Sequence, residues 1–128
     1  MKKLRVLLVD DEIMIREGFK RLFDWEAHDC EVVGEAADGM EALTRIDTLC
    51  PDLVIMDINM PVMNGYEAAS AIRALDKKKS AQVPIVALSA NAFVEDVQMS
   101  LSAGMNEHIA KPIDLKQLMY VMNKWMCN

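Results

Sequence analysis

Residues 53–65 read LVIMDINMPVMNG, and the fold turns on how that stretch is taken. Leu53-Val54-Ile55-Met56 is an unbroken apolar run without alternation, as expected of a strand covered on both faces. The run closes on Asp57, and Pro61 and Gly65 then break the chain into a loop. An unpaired carboxylate is costly at the rim of an apolar core. Asp57 is therefore either a turn-former at a strand end or a group held there for its chemistry.

Three other runs have the same character: Leu4 to Val9, Glu31 to Ala36 and Pro84 to Ser89. With Asp52 to Met56 they make four expected strands, and His108 to Ala110 is a weaker fifth. Helical patterns lie between them. Ile15, Phe19, Leu22 and Phe23 fall on one helical stripe. A second helix is expected from Gly39 through Leu43 and Ile46 to Leu49, and a third from Gly65 to Leu75 with Ala68 and Ile72 inward. The fourth starts near Phe93, carries Val94, Val97 and Leu101 inward, and stops at Gly104. The last has Leu115, Leu118, Met119, Met122, Trp125 and Met126 on one stripe, with Asp114 as its N-cap. Strand alternating with helix about five times means an α/β fold, a parallel sheet with helices on both faces. In such sheets the ligand site lies at the carboxyl ends of the strands.

The whole chain narrows the class. Its 128 residues fit one ordinary domain, 1–128. A net charge of −6 argues against gripping nucleic acid or an anionic membrane. Cys30, Cys50 and Cys127 are far apart and show no metal-ligand spacing, so reduced thiols in the cytoplasm are expected. The start, MKKLRVLLVDDE, is too short in its apolar part for a signal peptide and closes on three acids. No stretch approaches the ~18 apolar residues of a membrane span. Lys77-Lys78-Lys79-Ser80 reads as a solvated loop, and His28 as a solvated loop residue. The 11 methionines read mainly as flexible core filler, Met119, Met122 and Met126 among them.

The residues that end the strands form a set. The first strand ends in Asp10, Asp11 and Glu12, and the third in Asp57. The fourth ends in Ser89-Ala90, and the fifth in Lys111-Pro112. Singly, each has a plain reading as turn, cap or solvated loop. Jointly, they converge on one sheet edge if the first strand is central. Three carboxylates that close repel one another unless a cation sits among them. An all-oxygen cluster suits a hard divalent ion such as Mg²⁺. With Lys111 as counter-charge and Ser89 as hydroxyl donor, the set makes a site for a phosphoryl group. Asp57 is then the nucleophile that forms an acyl phosphate.

LLVDDE, PDLVIMDINMPVMNG, PIVALSA and HIAKP together resemble the signatures of receiver domains of bacterial two-component response regulators. The resemblance covers Leu4 to about Met126 and implies a (βα)₅ flavodoxin-like (CheY-like) doubly wound five-stranded parallel sheet. It implies that Asp57 accepts phosphate from a sensor histidine kinase or a histidine phosphotransfer protein. The domain would catalyse only its own phosphorylation and slow autodephosphorylation. Mg²⁺ (or Mn²⁺) would be bound by Asp11, Asp57 and the backbone carbonyl of Asn59, with Asp10 acting through water. Ser89, the amide of Ala90, and Lys111 would hold the phosphoryl oxygens. Ser89 and His108 would form the switch, and His108 stands where the family usually has Tyr or Phe. The Lys111-Pro112 peptide is often cis in such proteins.

The parent protein stays open. DDEIMIREGFKRLFDWEAHDCEVVGEAADG resembles receivers that precede AraC-type DNA-binding output domains, whereas ALSANAFVEDVQMSLSAGMNEHIAKPID resembles receivers of hybrid sensor kinases. A phosphorylation-dependent dimer is among the implied assemblies. Ile13, Met14, Met60, Pro112 and Ile113 are expected to ring the strand-end face as a docking surface for the phosphodonor.

Four rivals share parts of the pattern. A haloacid-dehalogenase-type phosphatase needs an acid two residues after the nucleophile, and that position is Asn59. A flavodoxin phosphate loop would be repelled by Asp10-Asp11-Glu12, and a GTPase lacks its GxxxxGK[ST] loop. An interaction-only receiver would not need the full set of acids, hydroxyl and lysine.

Overall fold

The computed structural model describes residues 3–90, 94–111 and 113–126. Expectations placed on Phe93, Pro112 and Cys127 lie outside the described residues, as do the inward side chains expected of Leu22, Val94 and Met126.

Five strands appear in chain order: β1 (Leu4–Val9), β2 (Cys30–Ala36), β3 (Leu53–Asp57), β4 (Ile85–Ser89) and β5 (Glu107–Ala110). All neighbours are parallel, in the order β2-β1-β3-β4-β5. That is the flavodoxin-like doubly wound order, and it places β1 beside β3 at the point where the winding reverses. The helices are α1 (Ile13–Leu22), α2 (Gly39–Leu49), α3 (Gly65–Arg73), the short α4 (Lys78–Ala81), α5 (Val94–Ser102) and α6 (Leu115–Met126).

The apolar runs lack alternation because both faces of each strand are covered. Leu7, Val9, Val54, Met56, Ile85 and Ala87 point into one core. There they meet Ala42 and Ile46 of α2 and Ala68, Ala69 and Ile72 of α3. Val6, Leu8, Leu53, Ile55, Val86 and Leu88 point into the other, against Phe19 of α1 and Leu118, Val121 and Met122 of α6. Neighbouring residues thus serve opposite cores, the period-2 geometry of a strand. Each buried Leu, Ile or Val contributes roughly 1.5–3 kcal/mol.

Several local expectations shift. β3 runs through Asp57 rather than stopping at Met56. Asp24 to Asp29 is no plain loop: Glu26–His28 form a 3₁₀ turn, and the ring of His28 lies 4.9 Å from that of Phe23. Lys78–Ala81 is a short helix, because Ser80 is buried beneath an otherwise solvated lysine run. In α5 the expected inward Leu101 is 57% exposed, and Ser100 is buried instead. In α6 the inward stripe is Leu118, Val121 and Met122, with Leu115 and Met119 turned out, so Met119 is not core filler. Both faces differ by a fraction of a helical turn, which the apolar pattern alone resolves poorly.

The ends of α5 and α6 follow their residues. Asp114 caps α6, accepting the Lys116 N–H at 2.9 Å. Gly104 takes φ +102° after α5. There the N–H groups of Met105 and Gly104 reach the carbonyls of Ser100 (2.9 Å) and Leu101 (3.1 Å), the paired bonds of a Schellman ending.

At the opposite edge of the sheet from the strand ends' acids, Arg73 closes two connections with one guanidinium. It donates to the carbonyls of Val83 (2.7 Å) and Ala81 (3.1 Å), to Gly104 O (2.6 Å) and to Asn106 Oδ1 (2.8 Å). Asn106 in turn accepts the Ile85 N–H at 2.8 Å. Arg73→Met leaves those carbonyls without their donor and is expected to destabilise the domain by about 2–4 kcal/mol in urea unfolding. Arg73→Lys should recover only a minor part, because an ammonium cannot reproduce the fork.

Candidate functional site

The carboxyl edge of the sheet gathers the expected residues. Asp10 follows β1 and stays in register, its N–H donating to Ala36 O at 3.0 Å. Its Oδ1 accepts the Glu12 N–H at 2.9 Å, a local turn that ends the strand and starts α1. Asp10 is 3% exposed and Asp57 is 4% exposed. Lys111 reaches both, with Nζ 3.5 Å from Asp10 Oδ2 and 3.3 Å from Asp57 Oδ1. The Lys111 N–H donates to Ser89 O at 2.7 Å, which ties the ends of β4 and β5 together. Ser89 is buried in the same edge, while Ala90 and Asn59 are exposed beside it.

The electrostatics follow from burial. Desolvation, reinforced by the neighbouring charge of Asp10, raises the Asp57 carboxyl above its ordinary value. Lys111 and the backbone N–H of Asn59 oppose that shift and do not cancel it. Burial lowers Lys111, but the carboxylates of Asp57 and Asp10 outweigh it and hold the ammonium above its usual range. One cation is thus shared by two buried acids.

The acids also supply a cation site. Carboxylate oxygens of Asp10, Asp11 and Glu12 lie within 4.8 Å of one another. Asp10 Oδ2 is buried with no hydrogen-bond partner among the described residues. A buried carboxylate oxygen whose only partner is the 3.5 Å ion pair with Lys111, in an all-oxygen donor set, fits a hard divalent cation. Glu12 belongs to this cluster although its sequence position reads as helix capping. It is the N-cap residue of α1, yet its side chain makes no capping bond.

The loop after Asp57 is set by contacts at its two ends. Gly65 donates its N–H to Ile58 O at 2.8 Å, and a Cβ there would stand 2.8 Å from Asp57 O. Only glycine allows that approach. Asn64 and Glu67 then form a capping box, with bonds of 2.9 and 3.1 Å, that launches α3. Within the loop Val62 takes φ +66°, a left-handed conformation unusual for a β-branched residue.

The expected docking ring is divided. Ile13 and Met14 are 60% and 77% exposed. Ile113 is half-buried against the α1–α6 core. Met60 does not belong to the ring: it is 9% exposed and packs into the core beneath α2 and α3. The loop turns its side chain inward, where a flexible thioether fills the gap. Beside Lys111 lies a largely apolar groove of about 450 Å³, walled by Met14, Gly18, Phe19, Phe23, Ile113 and Leu115.

His108 pairs in register with Ala87, and Ala110 pairs with Ser89. Ser89 and His108 therefore share one face of the sheet, one pleat apart. The His108 Nδ1 lies 3.1 Å from the Oγ of the buried Ser100 on α5. Nothing in the residue pattern of α5 marked that contact in advance.

Comparisons with known proteins bear on this geometry. Residues 6–123 match the model of the response regulator receiver domain. The chain is 35% identical over 119 residues to the nitrate/nitrite response regulator protein NarL of Escherichia coli, covering 93% of this chain and 53% of that protein. It thus spans about half the length of that relative. Among solved structures, the chemotaxis response regulator CheY4 of Vibrio cholerae superposes with a TM-score of 0.84 at 31% identity, covering 97% of this chain and 99% of that one. A chain of the CheX–CheY–BeF3–Mg²⁺ complex from Borrelia burgdorferi gives 0.84 at 26% identity, covering 96% and 89%. Among the described residues, no helix is long and apolar enough to cross a membrane.

The raised carboxyl of Asp57 gives a signed expectation. Because the folded protein holds that proton more tightly than the unfolded chain, ionised Asp57 costs stability at neutral pH. Without divalent ion, Asp57→Asn should be more stable than the parent at pH 7. The difference should shrink as pH falls through the raised pKa and vanish below the unfolded value near ~3.9. Chemical unfolding at a series of pH values checks it, and adding Mg²⁺ should stabilise the parent but not the variant.

Proposed function

The chain belongs to the response regulator receiver domain family of two-component signalling, and on that premise we propose that Asp57 is its phosphoacceptor. Receiver domains act on themselves, through their own phosphorylation and dephosphorylation, rather than turning over a substrate. The observation that carries the assignment is the ammonium of Lys111 set between Asp57 and Asp10, at 3.3 and 3.5 Å, in a buried acid pocket.

The donor is a phosphohistidine on a sensor histidine kinase or a histidine phosphotransfer protein. A carboxylate oxygen of Asp57 attacks phosphorus, the P–N bond breaks with its electrons passing to the imidazole, and an acyl phosphate forms on Asp57. Lys111 pairs with one phosphoryl oxygen. The Ser89 hydroxyl and the Ala90 N–H donate to the others. Asp11, Asp57 and the carbonyl of Asn59 would hold the divalent ion, Mg²⁺ or Mn²⁺, with Asp10 acting through water, and the ion would neutralise phosphoryl charge. The BeF3 and Mg²⁺ of the Borrelia complex support this reading. Asn59 stands where a phosphatase of the haloacid-dehalogenase type needs its acid, so hydrolysis lacks a general base and the phosphoryl group persists as a signal.

Ser89, drawn toward the phosphoryl oxygen, vacates space on the face it shares with His108. The ring of His108 follows, changing its bond to Ser100 and with it the surface around α5. That surface addresses an output domain or target, in a phosphorylation-dependent dimer or as a monomer. Residues 1–128 act as one domain in the cytoplasm. The phosphodonor lies against Ile13, Met14 and the groove beside Lys111 that Ile113 helps to wall.

Two experiments check these assignments. With acetyl phosphate and Mg²⁺, intact-mass measurement should find one added phosphate, absent from Asp57→Asn. Uptake by that variant at the parent rate would refute the acceptor. Met14→Asp should slow transfer from a phosphohistidine donor by about tenfold, a loss of ~1.4 kcal/mol, while uptake from acetyl phosphate persists. Met14 is the clean probe because Ile113 also packs against the core.

A further inference from the structure

Asp10 is secured through every polar group but one. Its N–H donates to Ala36 O at 3.0 Å, and its Oδ1 accepts the Glu12 N–H at 2.9 Å. Its carbonyl accepts from the guanidinium of Arg16, one turn into α1. Only Oδ2 is left without a hydrogen bond among the described residues, and it faces the Lys111 ammonium at 3.5 Å. The same guanidinium holds Glu35 of β2, with Arg16 Nε 3.0 Å from Glu35 Oε1. Lys20, the next turn of α1, holds the other oxygen of Glu35 at 2.8 Å. The Arg16 side chain is 14% exposed.

The carbonyl that Arg16 grips belongs to the Asp10–Asp11 peptide. That unit is planar, so its orientation decides where the chain enters Asp11 as well as how Asp10 is turned. A buried carbonyl requires a donor. The first turn of α1 does not provide one: neither the Ile13 nor the Met14 N–H bonds to it, and those of Ile15 and Arg16 go to Glu12 O, at 3.1 and 3.3 Å. The guanidinium can serve two acceptors at once, one on Asp10 and one on Glu35, which an ammonium at this distance cannot reproduce. Glu35 also balances its charge, so the pair sits beside the acid pocket without opposing a cation there.

We propose that Arg16, anchored on Glu35, is a positioning residue that aims the carboxylates of Asp10 and Asp11 at one divalent cation. The proposal rests on the metal site described under the proposed function. Arg16 touches neither the cation nor the phosphoryl group; it acts through the peptide that carries both ligands.

Groups that orient metal ligands typically contribute about 10–100-fold to metal affinity. Mg²⁺ is titrated against the ¹⁵N-labelled protein and followed by amide shifts. Arg16→Met should weaken binding by about tenfold, the low end of that range. Arg16→Lys should fall between it and the parent. Lys20→Met loses a comparable contact to Glu35 but none to Asp10, and should bind Mg²⁺ like the parent. A second readout needs no metal: exchange of the Glu12 amide, whose acceptor is Asp10 Oδ1, should speed up in Arg16→Met and not in Lys20→Met. Parent-like Mg²⁺ binding by Arg16→Met, or equal losses in Arg16→Met and Lys20→Met, would overturn the proposal. If Arg16→Met does not fold, Arg16→Lys decides by the same two measurements. A parent protein that binds no Mg²⁺ would overturn the metal reading itself, and Glu12 exchange would then decide alone whether Arg16 holds Asp10.

Discussion

Two buried carboxylates, Asp10 and Asp57, share the single ammonium of Lys111. Ionised acids that close repel, and burial strengthens the repulsion by removing the water that would screen it. The sheet order creates the conflict, since β1 and β3 are neighbours and each delivers an acid at its carboxyl end. The same order makes the remedy demanding. Lys111 follows β5, two strands beyond β3, and neighbouring strands stand about 4.8 Å apart. Its side chain must cross the end of β4, where Ser89 and Ala90 are small. A bulky residue there would stand in the lysine's path. The pocket therefore constrains its neighbours on both sides.

Around this electrostatic centre the loops have little freedom. The chain leaving Asp57 returns so closely that Gly65 lies against the Asp57 carbonyl, and Val62 adopts a left-handed conformation to make the turn. Far from it, the Arg73 clasp binds α3 to the connections that precede β4 and β5. The two ends of the sheet thus divide their work: one concentrates charge, and the other secures the frame that holds it.

Two polar contacts link the pocket to its helices. Arg16 and Glu35 join Asp10 to α1 and β2, and His108 joins the face of Ser89 to Ser100 on α5. Each lies between elements distant in sequence. Their directional geometry gives the acid pocket fixed relations with two helices on different parts of the surface.

Much of this was legible in the residues alone. The apolar runs ended where the strands end, to within a residue, because a strand covered on both faces leaves a continuous local signal. The acids, the hydroxyl and the lysine were identifiable because each directly follows such a run. The helix faces were less so. Leu101 and Met119 turned outward and Ser100 inward, since a short amphipathic pattern tolerates a rotation that a buried polar bond does not. Met60, adjacent to the pocket in sequence, proved to be core. Arg16 and Arg73 carried no advance signal, for a guanidinium declares its partners only once distant carbonyls are brought within about 3 Å. Sequence alone determined which chemical groups are present and at which edge of a parallel sheet they must emerge. Tertiary structure decided which of them meet, because contact distances depend on strand order and helix rotation, and neither is encoded in any one segment.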